Sequence, residues 1–151
     1  MEINLNGKNA LVGGSSKGIG RAIAQRLAAS GAQVTLMASS AQRLESVLAE
    51  LDTQKGQKHQ ALVVDFNDFP AFEAKMKSYF STNTVDILVN NTQGPPAGGA
   101  LEKTIDDYQA AFDLLFKCAV ATTGLALPHI CLLYTSPSPR DLSTSRMPSS
   151  A

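Results

Sequence analysis

Gly13-Gly14-Ser15-Ser16-Lys17-Gly18-Ile19-Gly20 is the stretch from which this chain is read. Before it, Lys8 to Gly13 is a short apolar run that stops in glycines, the pattern of a buried strand. After it, Gly18 to Ser30 carries Ile19, Ile23, Ala24 and Leu27 at helical spacing, and Gly31 stands at the C-cap. A strand, a glycine turn and a helix in direct succession make an anion site. Glycines let the chain turn tightly and let a pyrophosphate approach the backbone, while free N–H groups at the helix start face the phosphates. The spacing is G-x3-G-x-G on Gly14, Gly18 and Gly20, with Ser16, Lys17 and Ile19 between and beside them. It is not a P-loop, because Lys17 precedes its glycine and no Gly-Lys-Ser/Thr follows. Gly20 permits close packing of helix on strand.

Working outward, Gln33 to Ala38 predicts a second strand, and Ala41 to Leu51 a helix with Leu44, Val47, Leu48 and Leu51 on one face. Gln60 to Asp65 predicts a third strand. Asp68 to Phe80 predicts a helix entered near Pro70, with Phe69, Phe72, Met76 and Phe80 as its buried stripe. Val85 to Asn90 predicts a fourth strand, Asn91 to Gly99 a Gly/Pro loop, and Thr104 opens a helix running to about His129. Short apolar strands alternating with helices indicate an α/β fold, a doubly wound, Rossmann-type parallel sheet covered on both faces.

The chain has 151 residues, 44% hydrophobic and 17% charged, which is a globular composition. Thirteen basic residues balance thirteen acidic ones, so nothing favours nucleic acid or an anionic membrane as partner. No uninterrupted apolar run approaches the ~18 residues of a spanning helix, and Met1-Glu2-Ile3-Asn4 shows no signal peptide. Cys118 and Cys131 form neither a disulfide framework nor a metal spacing, and a cytoplasmic location is the default. His59 is expected to face solvent, His129 to end the long helix, and Cys118 to be an inert buried residue.

The last twenty residues, Leu132 to Ala151, hold six serines and three of the seven prolines and no periodic pattern. They read either as a disordered tail or as foreign sequence. The run resembles translated sequencing-adapter sequence, and the second reading is adopted. The domain is therefore expected to cover 1–130, with 131–151 a tail outside it.

These motifs resemble those of the short-chain dehydrogenase/reductase family, whose turn is Thr-Gly-x3-Gly-x-Gly. Gly14, Gly18 and Gly20 match, and Gly13 stands where the family has Thr, a hydroxyl that braces the turn. Asp65, beside Phe66 after the third strand, matches the Asp that bonds the adenine ring. Asn90 and Asn91 match the start of Asn-Asn-Ala-Gly, after which Thr92-Gln93-Gly94-Pro95-Pro96 departs in a form similar to 3-oxoacyl-(acyl-carrier-protein) reductase-like members. The resemblance covers 3–130. It implies nucleotide contacts from the turn residues, Ser39, Arg43, Asp65, Phe66 and Asn91.

An acid after the second strand would favour NAD by bonding the ribose 2′-OH. Ala38-Ser39-Ser40 has none, while Lys17 and Arg43 can pair with a 2′-phosphate, so NADP is predicted over NAD. The family's catalytic Ser, Tyr and Lys are not found. Residues 83, 112 and 138, four after Tyr79, Tyr108 and Tyr134, are Asn, Phe and Ser. Leu115 aligns with the family's helix Asn and reads as helix core. By the resemblance the fold should run to roughly 250 residues, so the sheet reads as truncated after the fourth strand and its following helix.

Without a fifth strand, Val85, Ile87 and Val89 should line an open edge. The long helix (Tyr108, Phe112, Leu115, Phe116, Leu125) should pack on a second subunit in the homo-oligomeric full-length protein. The chain alone is expected to be insoluble or molten, with at best weak dinucleotide binding. Three readings stand: the cofactor-binding part of an NADP-dependent reductase of a small-molecule carbonyl, a non-catalytic dinucleotide-binding module, and a non-functional truncated product. An independently sequenced copy of the gene should diverge near residue 131 and encode Ser and Tyr-x-x-x-Lys downstream. The same tail found there would refute the foreign-sequence reading.

Overall fold

The computed structural model describes residues 3–92, 94 and 97–130. The expectations for 131–151 lie outside them, as do those for Gln93, Pro95 and Pro96. The element order is β1 (Asn9–Gly13), α1 (Gly18–Ala29), β2 (Gln33–Ala38), α2 (Ala41–Leu48), β3 (Gln60–Val63), α3 (Phe69–Thr82), β4 (Ile87–Val89), α4 (Ile105–Phe112) and α5 (Cys118–Ala126). The four strands form one parallel sheet in the order β3-β2-β1-β4. Val12 of β1 pairs with Leu36 on one side and Val89 on the other. Between β1 and β4 the chain order reverses, and that reversal opens a crevice beyond the strands' C-terminal ends.

Strand alternation divides the apolar residues between two cores. Ala10, Val12, Val34, Leu36 and Ala38 point to one face, against Ala24 and Ala28 of α1 and Leu44 and Val47 of α2. Leu11 and Met37 point to the other, against Phe72, Met76 and Phe80 of α3 and Cys118 and Ala126 of α5. With both faces covered, the central strands need apolar residues at every position, which is why they read as runs. Thr35 is the polar exception on the second face: it is buried and accepts from the Tyr79 hydroxyl at 3.0 Å. Burial raises the Tyr79 pKa, with the Thr35 bond opposing. Ser40, Asp68 and Thr104 cap α2, α3 and α4 through their side chains. The Thr104 bonds hold the Asp107 carboxyl below the ordinary carboxylate range.

Several expectations are corrected. α2 stops at Leu48, although Leu51 is still buried. β3 stops at Val63 and exposes Gln60, Ala61 and Val63, because it is the edge strand and nothing covers its outer side. β4 spans three half-buried residues, and Val85, placed before it, is completely buried and lines no open edge. His59 is half-buried: its Nδ1 accepts from Val34 N–H at 3.0 Å and its Nε2 lies 2.8 Å from the Asp52 carbonyl. The loop before β3 folds back onto the start of β2, which the polar composition around His59 conceals. His129, by contrast, ends the long helix as expected, in a closing 3₁₀ turn, and stacks on Phe80 with ring centroids 5.7 Å apart.

The long helix, Ile105–His129, is interrupted by a π-helical turn at Asp113–Lys117. Its length and mean hydropathy of 1.5 suffice to cross a membrane, which corrects the expectation from uninterrupted runs: Asp113 and Lys117 break the run without making the segment polar. Core helices of water-soluble folds pass the same test. α5 packs on α3, whereas α4 buries no residue at all. Phe112 and Phe116, their rings tilted by 34° with centroids 5.1 Å apart, and Val120 are each more than half exposed. A contiguous apolar face of this kind drives association. Replacing Phe112 and Phe116 together by Ser should therefore raise the soluble fraction of the expressed chain. An unchanged partition between supernatant and pellet would show that another surface causes association.

Candidate functional site

The glycine turn occupies the crevice between β1 and β4. Gly14 and Gly18 have φ of +59° and +56°, conformations that side-chain-bearing residues rarely adopt, so two of the three motif glycines are required by the backbone itself. Lys17 is the N-cap of α1 and makes no side-chain cap bond, and the first turn of α1 carries no acid. The N–H groups at the start of α1 thus have no side chain set against them, unlike those of α2, α3 and α4.

Gly20 is buried for a different reason. A Cβ there would run onto the carbonyl oxygen of Gly14 and come within 2.8 Å of Asn91 Nδ2. A Cβ at Gly13 would lie 2.6 Å from the Asn91 carbonyl oxygen. On this backbone the chain leaving β4 passes too close to Gly13 for a side chain. A hydroxyl within the turn, that of Ser15, is completely buried and bonded to β2. Its Oγ accepts from Met37 N–H at 2.9 Å and its own N–H donates to the Met37 carbonyl at 3.3 Å.

An open cleft of about 680 Å³ lies over the turn. Of the residues singled out in the sequence, Gly14, Ser16, Lys17, Gly18 and Ile19 line it from below, and Ser39, Phe66 and Asn91 from the sides. Gly20 lies beneath the turn, Arg43 is exposed on α2, and Asp65 is exposed beside the cleft; these three do not line it. Asp65 Oδ1 accepts from the N–H and Nδ2 of Asn67, at 2.9 and 3.2 Å, and Asn67 is the side chain that reaches the cleft wall. Ala38, Thr92, Gly94 and Leu114 also line it and were not read from sequence.

Leu115 departs from its expected place in the core, and its neighbour Leu114 takes that place. Leu115 is 43% exposed and is not core, whereas Leu114 packs on the second core and borders the cleft. The π turn holds an additional residue, which rotates the upstream part of the helix relative to α5. One turn on, Cys118 is buried with Sγ 3.6 Å from the Phe66 carbonyl. Burial pushes its thiol pKa up, and the nearby Asp113 adds to this against Lys117. Of the tyrosines, Tyr79 bonds Thr35 in the middle of β2, Tyr108 lies on α4, and neither lines the cleft; Tyr134 lies outside the described residues.

A family model for short chain dehydrogenase matches residues 8–135, carrying the match past residue 130. A fatty acyl-CoA reductase from Acinetobacter baylyi is 35% identical over 131 residues, 84% of this chain and 44% of that protein. A 3-oxoacyl-(acyl-carrier-protein) reductase from Aquifex aeolicus is 36% identical over 92 residues, 60% of this chain and 37% of that protein. The L-sorbose reductase of Gluconobacter frateurii, solved with NADPH and L-sorbose, superposes with a TM-score of 0.76 at 30% identity, covering 86% of this chain and 50% of that one. A short chain dehydrogenase from Burkholderia cenocepacia, solved with NADP, gives 0.74 at 35% identity, with coverage of 84% and 52%. The chain thus spans about half the length of the relatives it matches.

The two motif glycines with different constraints should respond differently to a methyl group. Gly20→Ala forces the turn apart and should cost about 3 kcal/mol, as overpacking does. Gly18→Ala meets open space and bears only the positive-φ strain, about 1 kcal/mol. Rates of limited proteolysis compare them; equal susceptibility would refute the close packing at Gly20.

Proposed function

The chain belongs to the short-chain dehydrogenase family, and from that premise we propose that residues 1–130 are the cofactor-binding part of an NADP-dependent oxidoreductase. The full-length protein reduces the carbonyl of a small molecule, a 3-oxoacyl group or a similar ketone, to an alcohol by hydride transfer. The observation that carries this reading is the uncapped start of α1 under a glycine turn, at the crevice where the strand order reverses. The cleft also suits a dinucleotide in size and in its mixture of backbone, apolar and amide walls.

Bound NADPH supplies the hydride. The turn from Gly14 to Ile19 holds the pyrophosphate on its N–H groups. Phe66 and Asn67 take the adenine side, with Asp65 orienting Asn67. Lys17, Ser39 and Arg43 meet the 2′-phosphate: Lys17 and Ser39 border the cleft, no acid follows β2 to repel a phosphate, and Arg43 extends from the first turn of α2. Asn91 closes the nicotinamide side. The NADPH and NADP in the two solved relatives favour the same choice of cofactor. The 3-oxoacyl substrate class rests on the similarity to the acyl-carrier-protein reductase and on the Thr92–Pro96 loop.

Residues 136–151, past the family match, play no part, no residue of this chain carries the proton transfer, and the chain by itself is inactive. In the full-length protein the exposed face of α4 packs on a second copy, in a cytoplasmic homo-oligomer. The reading as a non-catalytic dinucleotide-binding module draws on one observation, the absence of Lys four residues after any tyrosine.

Fluorescence titration tests the cofactor assignment. NADPH should bind about tenfold more tightly than NADH, and Lys17→Glu combined with Arg43→Glu should abolish the difference. Equal or tighter binding of NADH by the unsubstituted chain would reverse it.

A further inference from the structure

The glycine turn has two attachments, one to each strand that neighbours β1. On the β2 side, Ser15 is completely buried and meets both main-chain polar groups of Met37. Its Oγ accepts from the Met37 N–H at 2.9 Å, and its N–H donates to the Met37 carbonyl at 3.3 Å. Met37 is also the partner of Gly13 in the parallel ladder, so Ser15 continues the sheet after the chain has left β1. On the β4 side, Asn91 Nδ2 donates to the Gly13 carbonyl at 3.2 Å. That amide sits where Cβ atoms at Gly14 and Gly20 would lie 2.7 and 2.8 Å from it. Three glycines, Gly13, Gly14 and Gly20, thus leave a socket that Asn91 fills.

We propose that Ser15 and the Asn91–glycine socket are paired positioning clamps that fix the turn's backbone from both neighbouring strands, so that its anion-facing N–H groups are set before a nucleotide binds. Ser15 lines no part of the cleft and acts only through the turn. Turn residues ordered during folding need no further ordering on binding, and affinity gains by that amount. The nucleotide in this inference rests on the proposed function; the clamps themselves are independent of it.

Two readouts on the whole chain test the proposal. The first is hydrogen exchange at the amide of position 15, whose own bond to Met37 survives in Ser15→Ala. Loss of the hydroxyl should loosen the turn and speed that exchange about tenfold, as loss of a buried hydrogen bond permits, and Gly13→Ala, which displaces Asn91, should do the same. The amides of Leu44 and Val47 in α2 should not change. The second is titration with NADPH and with NADH. Both variants should raise the two dissociation constants by a common factor of about ten, because the clamps act on the turn and not on the 2′-phosphate. Tyr79→Phe, which breaks the buried Thr35 bond in β2 two residues before Met37 but leaves the turn untouched, is the control for general destabilisation and should leave both constants within about twofold. Unchanged exchange at position 15 in Ser15→Ala, or equal weakening by Tyr79→Phe, would overturn the proposal. An unsubstituted chain that binds neither nucleotide would instead refute the proposed function, and the exchange experiment would still decide the clamps.

Discussion

The close passage of Asn91 over the end of β1 is the constraint on which the site depends. A parallel sheet whose order reverses between β1 and β4 must leave a crevice there, but the crevice is a usable site only if the turn below it stays low. Asn91 enforces this. Its carbonyl excludes a side chain at Gly13, and its amide excludes one at Gly14 and Gly20. With those three positions reduced to backbone, α1 starts directly beneath the cleft and its first N–H groups face outward. A side chain at any of the three would have to lift the turn or push the β4 loop away.

The remaining packing holds this arrangement from behind. Each central strand sends alternate residues into two cores, so α1 and α2 on one face and α3 and α5 on the other press the sheet from both sides. α5 reaches the site through Cys118, against the Phe66 carbonyl, and through Thr123, whose hydroxyl accepts from Asn90 Nδ2 at 2.9 Å. The end of β4 is thereby tied to a helix seated on α3, and Asn91 is the next residue along. The π turn separates this seated half of the long helix from α4, which buries nothing. One half of the helix serves the cleft, and the other presents Phe112 and Phe116 outward.

What the sequence makes legible is what depends on local chemistry. Glycines after an apolar run, capping residues such as Thr104 and Asp68, and 3.6-residue stripes such as Phe72-Met76-Phe80 are short-range signals, and the elements they mark are present. What depends on neighbours distant in sequence was not legible. Gln60-Ala61-Leu62-Val63 has the composition of a buried strand, yet its place at the edge exposes it. His59 sits among polar residues, and only the return of its loop onto Val34 engages both ring nitrogens. Leu114 replaces Leu115 at the cleft because a π turn shifts the helix phase, and no residue in Asp113-Leu114-Leu115-Phe116-Lys117 announces it. Asn67 enters the site through a two-residue bond to Asp65, so the matched residue orients and its neighbour lines the wall. Ser15 was passed over because turns favour serine for local bonding, whereas this one is directed at a strand twenty-two residues away.

The same contrast bears on how binding and chemistry divide along the chain. Everything that shapes the anion-facing turn lies between β1 and Asn91 and is satisfied internally: by the ladder, by Ser15 on Met37, and by the socket around one amide. Among the described residues, no buried side-chain nitrogen or oxygen lacks a hydrogen-bond partner. The groups left open at the turn are therefore the N–H groups at the start of α1, and backbone donors at a helix start select for negative charge without supplying a proton acceptor or a general acid. The turn offers a place where a phosphate can lie. Among the described residues, no tyrosine or histidine lines the cleft.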